Sequence, residues 1–201
     1  MNIKDRVIIF DLEATCVENV SKEYRDGFTM ETIEIGAIDN QGNTFQSFVK
    51  PVLNPELSVF CKNLTTIKQS DIDSADTFTD VFKEFKAFIG EDTTIMSWGN
   101  YDKNQLLKDF NINNITEFSE CIKENHINLK DYYEEVTGFK AKGMAKTLKK
   151  LNIQLEGTHH RGIDDAINLQ KIYFKLKKMD EKKKNNVNKI VKVLDKYSRN
   201  R

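Results

Sequence analysis

Arg6-Val7-Ile8-Ile9-Phe10-Asp11-Leu12-Glu13-Ala14-Thr15 sets two acids, one residue apart, directly behind an unbroken apolar run. Val7 to Phe10 shows no polar alternation, which predicts a strand buried on both faces. Side chains at i and i+2 of a strand share a face, so Asp11 and Glu13 stand side by side while Leu12 turns to the core. Two carboxylates at the carboxyl end of a buried strand repel each other and lose hydration, and a cation between them stabilises the charged pair. Oxygen ligands of this kind favour Mg²⁺ or Mn²⁺ over softer metals. Taken alone, the pair also fits acids that merely cap the following loop.

Outward from this strand the pattern alternates between the two periods. Thr32 to Ile38 predicts a second strand, Asn40-Gln41-Gly42-Asn43 a turn, and Thr44 to Val49 a third strand, the last two forming an antiparallel hairpin. Val81-Phe82, Phe85 and Phe88-Ile89 recur at helical spacing up to Gly90. Thr94 to Trp98 is a short buried strand, followed by a helix from Tyr101 to Phe110 with Asn100 placed to cap it. Helical patterns continue over Leu129–Val136 and Met144–Leu151, then along the stripe Ile163, Ala166-Ile167, Tyr173 and Leu176. Val187, Ile190-Val191 and Leu194 predict one more amphipathic helix. Strands first, then a strand among helices, is the order of an α/β fold with a mixed sheet.

With 201 residues, 13 Phe and only 2 Pro, the chain can build one sizeable core. No repeat or Pro/Gly-rich linker divides it, which predicts one domain over 1–176 and a basic helical extension over 177–201. From Lys175 to Arg201 there are eleven Lys/Arg and three Asp/Glu, so a net charge of zero hides a basic tail on an acidic body. That tail is either a solvated face, an arm for phosphates or a helix that recruits a protein partner. Cys16, Cys61 and Cys121 are odd in number and widely spaced, which argues against a disulfide framework or a zinc site. No run is long enough for a membrane span, and Lys4-Asp5-Arg6 ahead of a short apolar stretch does not fit a signal peptide. A soluble, cytoplasmic protein is expected, with no nucleic-acid-binding domain ahead of the folded unit.

Two further segments carry acids near helix starts. Ser97-Trp98-Gly99-Asn100-Tyr101-Asp102 puts Asp102 in a first turn, where the helix dipole alone would favour it. His159-His160-Arg161-Gly162-Ile163-Asp164-Asp165-Ala166 stands at the mouth of the long helix. Arg161 there is either a phosphate contact or a surface charge.

The order Asp-x-Glu, a mid-chain Asp, then His-x4-Asp resembles the DEDDh 3′→5′ exonucleases of the ribonuclease-H-like fold. Further stretches resemble the Eri-type branch, with its KapD-like bacterial members: Asp11 to Cys16, Glu31 to Ala37, Phe60-Cys61-Lys62-Asn63-Leu64-Thr65, Ala75-Asp76-Thr77-Phe78, Ser97 to Asp102 and His160 to Asp165. The resemblance covers about residues 5 to 176. It implies a mixed β-sheet flanked by helices, with Asp11, Glu13, Asp102 and Asp165 holding two Mg²⁺ ions, for which Mn²⁺ can substitute. It makes His160 the general base and Asp164 the neighbour that does not ligate. Only His160 stands five residues before Asp165, whereas His159 stands five before Asp164. The choice of pair follows the buried stripe Ile163, Ala166, Ile167.

The implied partner is the 3′ end of single-stranded RNA or DNA. The resemblance assigns Phe60, Leu64 and Tyr101 to the terminal base, and Leu12, Ala14 and Thr15, beside His160, to the rest of the terminal nucleotide. Phe60 and Leu64 also fit plain core packing. Thr66 departs from the glycine of the family's Leu-Thr-Gly-Ile, which bears on the shape of that loop. The competing function is a nucleic-acid-binding or regulatory module of the same fold without catalysis, against which the complete set of four acids and a histidine argues.

Overall fold

Strand β1 (Arg6–Ala14) is the centre of the molecule, and its alternation sorts the core into two layers. Val7 and Ile9 point to one face of the sheet, Ile8, Phe10 and Leu12 to the other. Asp11 and Glu13 continue the first of these rows. The computed structural model describes the chain except residues 19–20, 22–26, 117 and 199–201, with only the backbone described over 189–198.

Strands β2 (Thr32–Asp39) and β3 (Thr44–Phe48) form the expected antiparallel hairpin, followed later by β4 (Thr93–Ser97) and β5 (His126–Asn128). The sheet order is β3-β2-β1-β4-β5, with β1 antiparallel to β2 and parallel to β4, and β4 parallel to β5. Parallel neighbours end on the same edge, so the carboxyl ends of β1 and β4 open together, the place where α/β sheets build their crevice. A register shift after Glu13 pairs Ala14 with Thr32 and leaves Ile33 as the extra residue, a bulge of the kind that re-aims side chains beside a site.

The helices among the described residues are α1 (Val59–Thr65), α2 (Gln69–Asp73), α3 (Phe78–Ile89), α4 (Tyr101–Ile112), α5 (Ser119–Asn125), α6 (Leu129–Thr137), α7 (Met144–Lys150) and α8 (Gly162–Ser198). The face carrying Val7 and Ile9 is covered by α6, α7 and α8, the opposite face by α3, α4 and α5. Phe82 on α3 meets Phe110 on α4 edge-on, with ring centroids 4.5 Å apart. A pair of that geometry adds about 0.5–1.5 kcal/mol beyond its burial and fixes the helix that carries Asp102. These layers are the mixed α/β architecture of the ribonuclease-H-like fold.

Several elements depart from the sequence pattern. The two helices expected around 163–176 and 187–194 are one continuous helix, because nothing between them breaks it; Asp180 and Lys184 pair at 2.7 Å at i,i+4 spacing. Burial nevertheless ends at Leu176, with Met179 only packed against the core edge. The side chains of Ile190, Val191 and Leu194 lie outside the described residues. Asn100 occupies the N-cap of α4 but its side chain makes no capping bond. Helices α1, α2 and α5 and strand β5 have no counterpart in the sequence reading, being too short to show a period.

Candidate active site

The bulged end of β1 delivers Asp11 and Glu13 to the face crossed by α8, whose first turn carries Asp165. Carboxylate oxygens of Asp11, Glu13 and Asp165 lie within 4.8 Å of one another. Asp102, in the first turn of α4 just past β4, accepts the Leu12 N–H at 3.3 Å and so stands directly beside the Asp11 strand segment. All four acids line one cleft of about 370 Å³, together with His159 and His160.

Burial and crowding make the charged state of this cluster costly. Asp11 is held well above the usual carboxylate range, first by burial and then by Asp102, Glu13, Asp165 and Glu34. Burial, with Asp165, Glu34 and Asp102 facing it, pushes Glu13 up to about 8. Asp102 rises only to about 6, because hydrogen bonds from the Leu12 N–H, its own N–H and Ser97, and the charge of Lys130, offset its burial. Asp165 is raised by burial and drawn back by His159 and by the His160 N–H. A crowded set of carboxylate oxygens held up by burial and mutual repulsion fits a hard divalent metal.

The two histidines take different places. His159 Nδ1 lies 2.9 Å from Asp165 Oδ2 with its side chain 42% exposed. His160 donates its backbone N–H to the same oxygen at 3.1 Å, and its ring stacks on His159 with centroids 4.0 Å apart. His160 sits at φ +67°, a left-handed conformation unusual for a side-chain-bearing residue. Burial, and His159 beside it, push its imidazole below the ordinary histidine range, while Asp165 pulls the other way. Asp164 turns away from the cluster and accepts the Thr158 N–H at 2.8 Å.

The comparisons with known proteins point to one family. A family model described as "Exonuclease" matches residues 8–173. The chain is 28% identical over 204 residues to the 3'-5' exonuclease eri1 of Schizosaccharomyces pombe, covering 85% of this chain and 67% of that protein. It is 29% identical over 181 residues to the probable 3'-5' exonuclease KapD of Bacillus subtilis, covering 87% and 85%. The solved nuclease domain of 3'hExo, described as a DEDDh family member bound to rAMP, superposes with a TM-score of 0.78 at 26% identity, covering 89% of this chain and 93% of that one. The chain belongs to the DEDDh 3′→5′ exonuclease family.

The exonuclease gathers most, though not all, of its sequence-predicted contacts at the cleft. Leu12, Ala14, Leu64 and Tyr101 line it. Leu12 does so while its side chain belongs to the core. Leu64 and Phe60 are half-buried and stand outside the core clusters. Phe60 is not part of the cleft wall, and Thr15 is absent from it because its hydroxyl is buried and accepts the Glu31 N–H at 3.0 Å. Tyr101 is 49% exposed, its hydroxyl 3.6 Å from Met30 Sδ. Thr66 adopts φ +60° at the C-cap of α1, so the departure from glycine leaves a left-handed backbone there. Arg161 faces inward, onto Glu34.

The exonuclease cleft also contains residues that sequence reading passed over. Trp98 lies within a quoted motif, and Met144 opens a helix whose stripe was visible, yet neither position signals a cleft wall. Cys16 lines the cleft too, and its hydrogen bond with Cys61 holds its thiol above the ordinary value while the same bond brings Cys61 down to about 7. All three cysteines are free thiols.

Proposed function

We propose that the exonuclease removes 5′-mononucleotides from the 3′ end of single-stranded RNA or DNA, with Asp11, Glu13, Asp102 and Asp165 holding two divalent cations and His160 as general base. The observation that carries the reading is the convergence of the Asp11, Glu13 and Asp165 carboxylates within 4.8 Å, with Asp102 and two imidazoles in the same open cleft. Mg²⁺ is the expected ion and Mn²⁺ a substitute, because the donors are hard oxygens. Divalent cations so held supply the positive charge that stabilises the attacking and the leaving oxygen of a phosphodiester displacement. The chain does the rest. His160 accepts the proton of the attacking water, a role suited to an imidazole whose neutral form prevails near neutral pH. Leu64 and the exposed ring of Tyr101 offer the terminal base a sequence-indifferent wall, worth about 1–3 kcal/mol for a stacked base.

Relatives named exoribonucleases, and the rAMP in the 3'hExo structure, support RNA as the better substrate. The catalytic unit is read as residues 1–176, where burial ends. The exposed lysines of α8 beyond it, Lys177, Lys178, Lys182 and Lys184, are read as contacts for upstream phosphates. Deleting 177–201 then flattens the salt dependence of binding, whereas an unchanged slope assigns the tail to a protein partner. Among the described residues, no helix is long and apolar enough to cross a membrane.

The test is cleavage of matched 5′-labelled single-stranded RNA and DNA, each with Mg²⁺, with Mn²⁺ and with chelator, beside Asp11→Ala. A ladder shortening from the 3′ end, dependent on metal and absent in the variant, is the expected result. Well-folded protein that binds but cleaves neither strand would return the fold to a silent binding module.

A further inference from the structure

Glu34 on β2 is the register partner of Glu13 on β1, so their side chains project from the same face. Both are buried, Glu34 completely. Their surroundings differ in kind. Among the described residues, no hydrogen-bond donor is assigned to the Glu13 carboxylate, whereas Glu34 has four. Arg161 Nε and Nη2 donate to its two oxygens at 3.1 and 3.2 Å, Gly162 N–H donates to Oε2 at 3.1 Å, and Gln46 Nε2 donates to Oε1 at 2.7 Å. Glu34 is therefore saturated by protein and Glu13 is left for a cation. Two like-charged neighbours are thereby given different partners.

We propose that Glu34 and Arg161 are positioning residues for hydrolysis, their ion pair fixing the turn that carries His160 and Asp165 against Glu13. The inference rests on the reading of His160 as base and Asp165 as ligand. Arg161 lies between His160 and Gly162, and its planar fork grips both carboxylate oxygens at once in a fixed geometry that a lysine cannot offer. Its guanidinium carbon lies 5.4 Å from the centre of the Phe48 ring, which backs it. His160 is thus pinned on both sides in its left-handed conformation, by its own N–H on Asp165 and by the next residue's grip on Glu34. Left-handed backbone at a histidine persists only where the surroundings over-determine it. Giving the guanidinium to a substrate phosphate would leave a fully buried carboxylate without its cation, on the Gln46 and Gly162 donors alone.

The experiment uses the full chain and three variants, Arg161→Lys, Glu34→Gln and the double. With Mg²⁺ and single-stranded RNA, each single variant should lower kcat about 10–100-fold, the usual cost of losing an orienting partner, while KM is held. The double should lose no more than the worse single, since both act through one contact. In chelator, amide exchange at Gly162 should quicken in all three. A raised KM with unchanged kcat and a flatter salt slope would make Arg161 a phosphate contact and overturn the proposal, as would additive losses. Thermal unfolding checks that each variant is folded; Arg161→Lys, at a partly exposed position, decides the matter should Glu34→Gln unfold. Wild-type protein that fails to cleave refutes the exonuclease reading alone, and wild-type exchange at Gly162 in the variants then refutes the positioning role.

Discussion

Gly36 and Gly162 touch backbone to backbone: a Cβ built on Gly36 would lie 2.0 Å from the Gly162 carbonyl carbon and 2.1 Å from the Ile163 nitrogen. This contact lets the first turn of α8 descend onto β2, and Asp165 stands on that turn. Because the obstructing atoms are backbone, no side-chain rotation can make room. Gly36→Ala is expected to cost about 3 kcal/mol or more, at the upper end of overpacking. Urea unfolding reads the stability. Divalent-ion titration reads the second consequence, weaker binding as Asp165 leaves Asp11 and Glu13. A variant with wild-type stability and affinity would show that α8 is not held by this contact.

The carboxylate cluster makes stability depend on pH and on cations together. Glu13 is raised to about 8 and Asp102 to about 6. The folded state therefore binds protons that the unfolded state releases, so their contribution falls as pH rises from about 4.5 to about 8. Buried His126, held down to about 4, has the opposite slope below 6.5, and the Cys61 thiol, brought down to about 7, has it above, so the window from 6.5 to 8 is read in a Cys61→Ser background. In chelator the protein should lose about 1–2 kcal/mol between pH 6.5 and 8. Saturating Mg²⁺ should flatten the slope. Asp11→Asn, which removes one repelling charge, should raise the chelator stability at pH 8 while abolishing cleavage. Stability rising across this window without metal would contradict the account.

What was legible followed from local periodicity. The run from Val7 to Phe10 buries both its faces, the hairpin turns around Asn40–Asn43 and the stripe from Ile163 to Leu176 lies on the core, and each appears in the fold. The cleft was legible where its acids sit at strand ends and helix starts. Glu34 was not, because the cation that explains it lies 127 residues away in sequence. For Thr15, a hydroxyl beside the strand end suggests substrate, and the structure shows it accepting the Glu31 N–H next to the bulge, a partner 16 residues away in sequence. Three-residue β5 and seven-residue α1 are fixed by pairing and capping rather than by pattern: Ser58 Oγ accepts the Cys61 N–H at 2.9 Å to start α1.

Thr66 ends α1 at φ +60° and ψ +8°, where a β-branched residue is strained and glycine is not. Relief of that strain exceeds the extra chain entropy glycine loses on folding. Thr66→Gly should therefore stabilise the protein by about 0.5–1 kcal/mol. Denaturant unfolding measures it. A destabilised variant would show that the Thr66 side chain contributes a contact larger than its strain. Leu64, two residues back, lies within the helix and not at its left-handed cap, so KM should stay unchanged.

His159 and His160 approach the same carboxylate by different atoms, and this difference separates their roles. His159 reaches Asp165 with a ring nitrogen at 2.9 Å, so a cation that claims Asp165 must compete with that imidazole. His160 hydrogen-bonds it only through backbone, at 3.1 Å, while a ring nitrogen stands within 4.8 Å of the same carboxylate. His160→Ala should lower kcat by about 10²-fold or more, the usual contribution of a general base, with divalent affinity held. His159→Ala should do the reverse, binding Mg²⁺ at least as tightly while retaining most of the turnover. Single-turnover cleavage at saturating metal and calorimetric titration of the metal alone measure the two effects separately. Loss of turnover confined to His159→Ala would transfer the base to that residue and leave His160 as the backbone anchor of the turn.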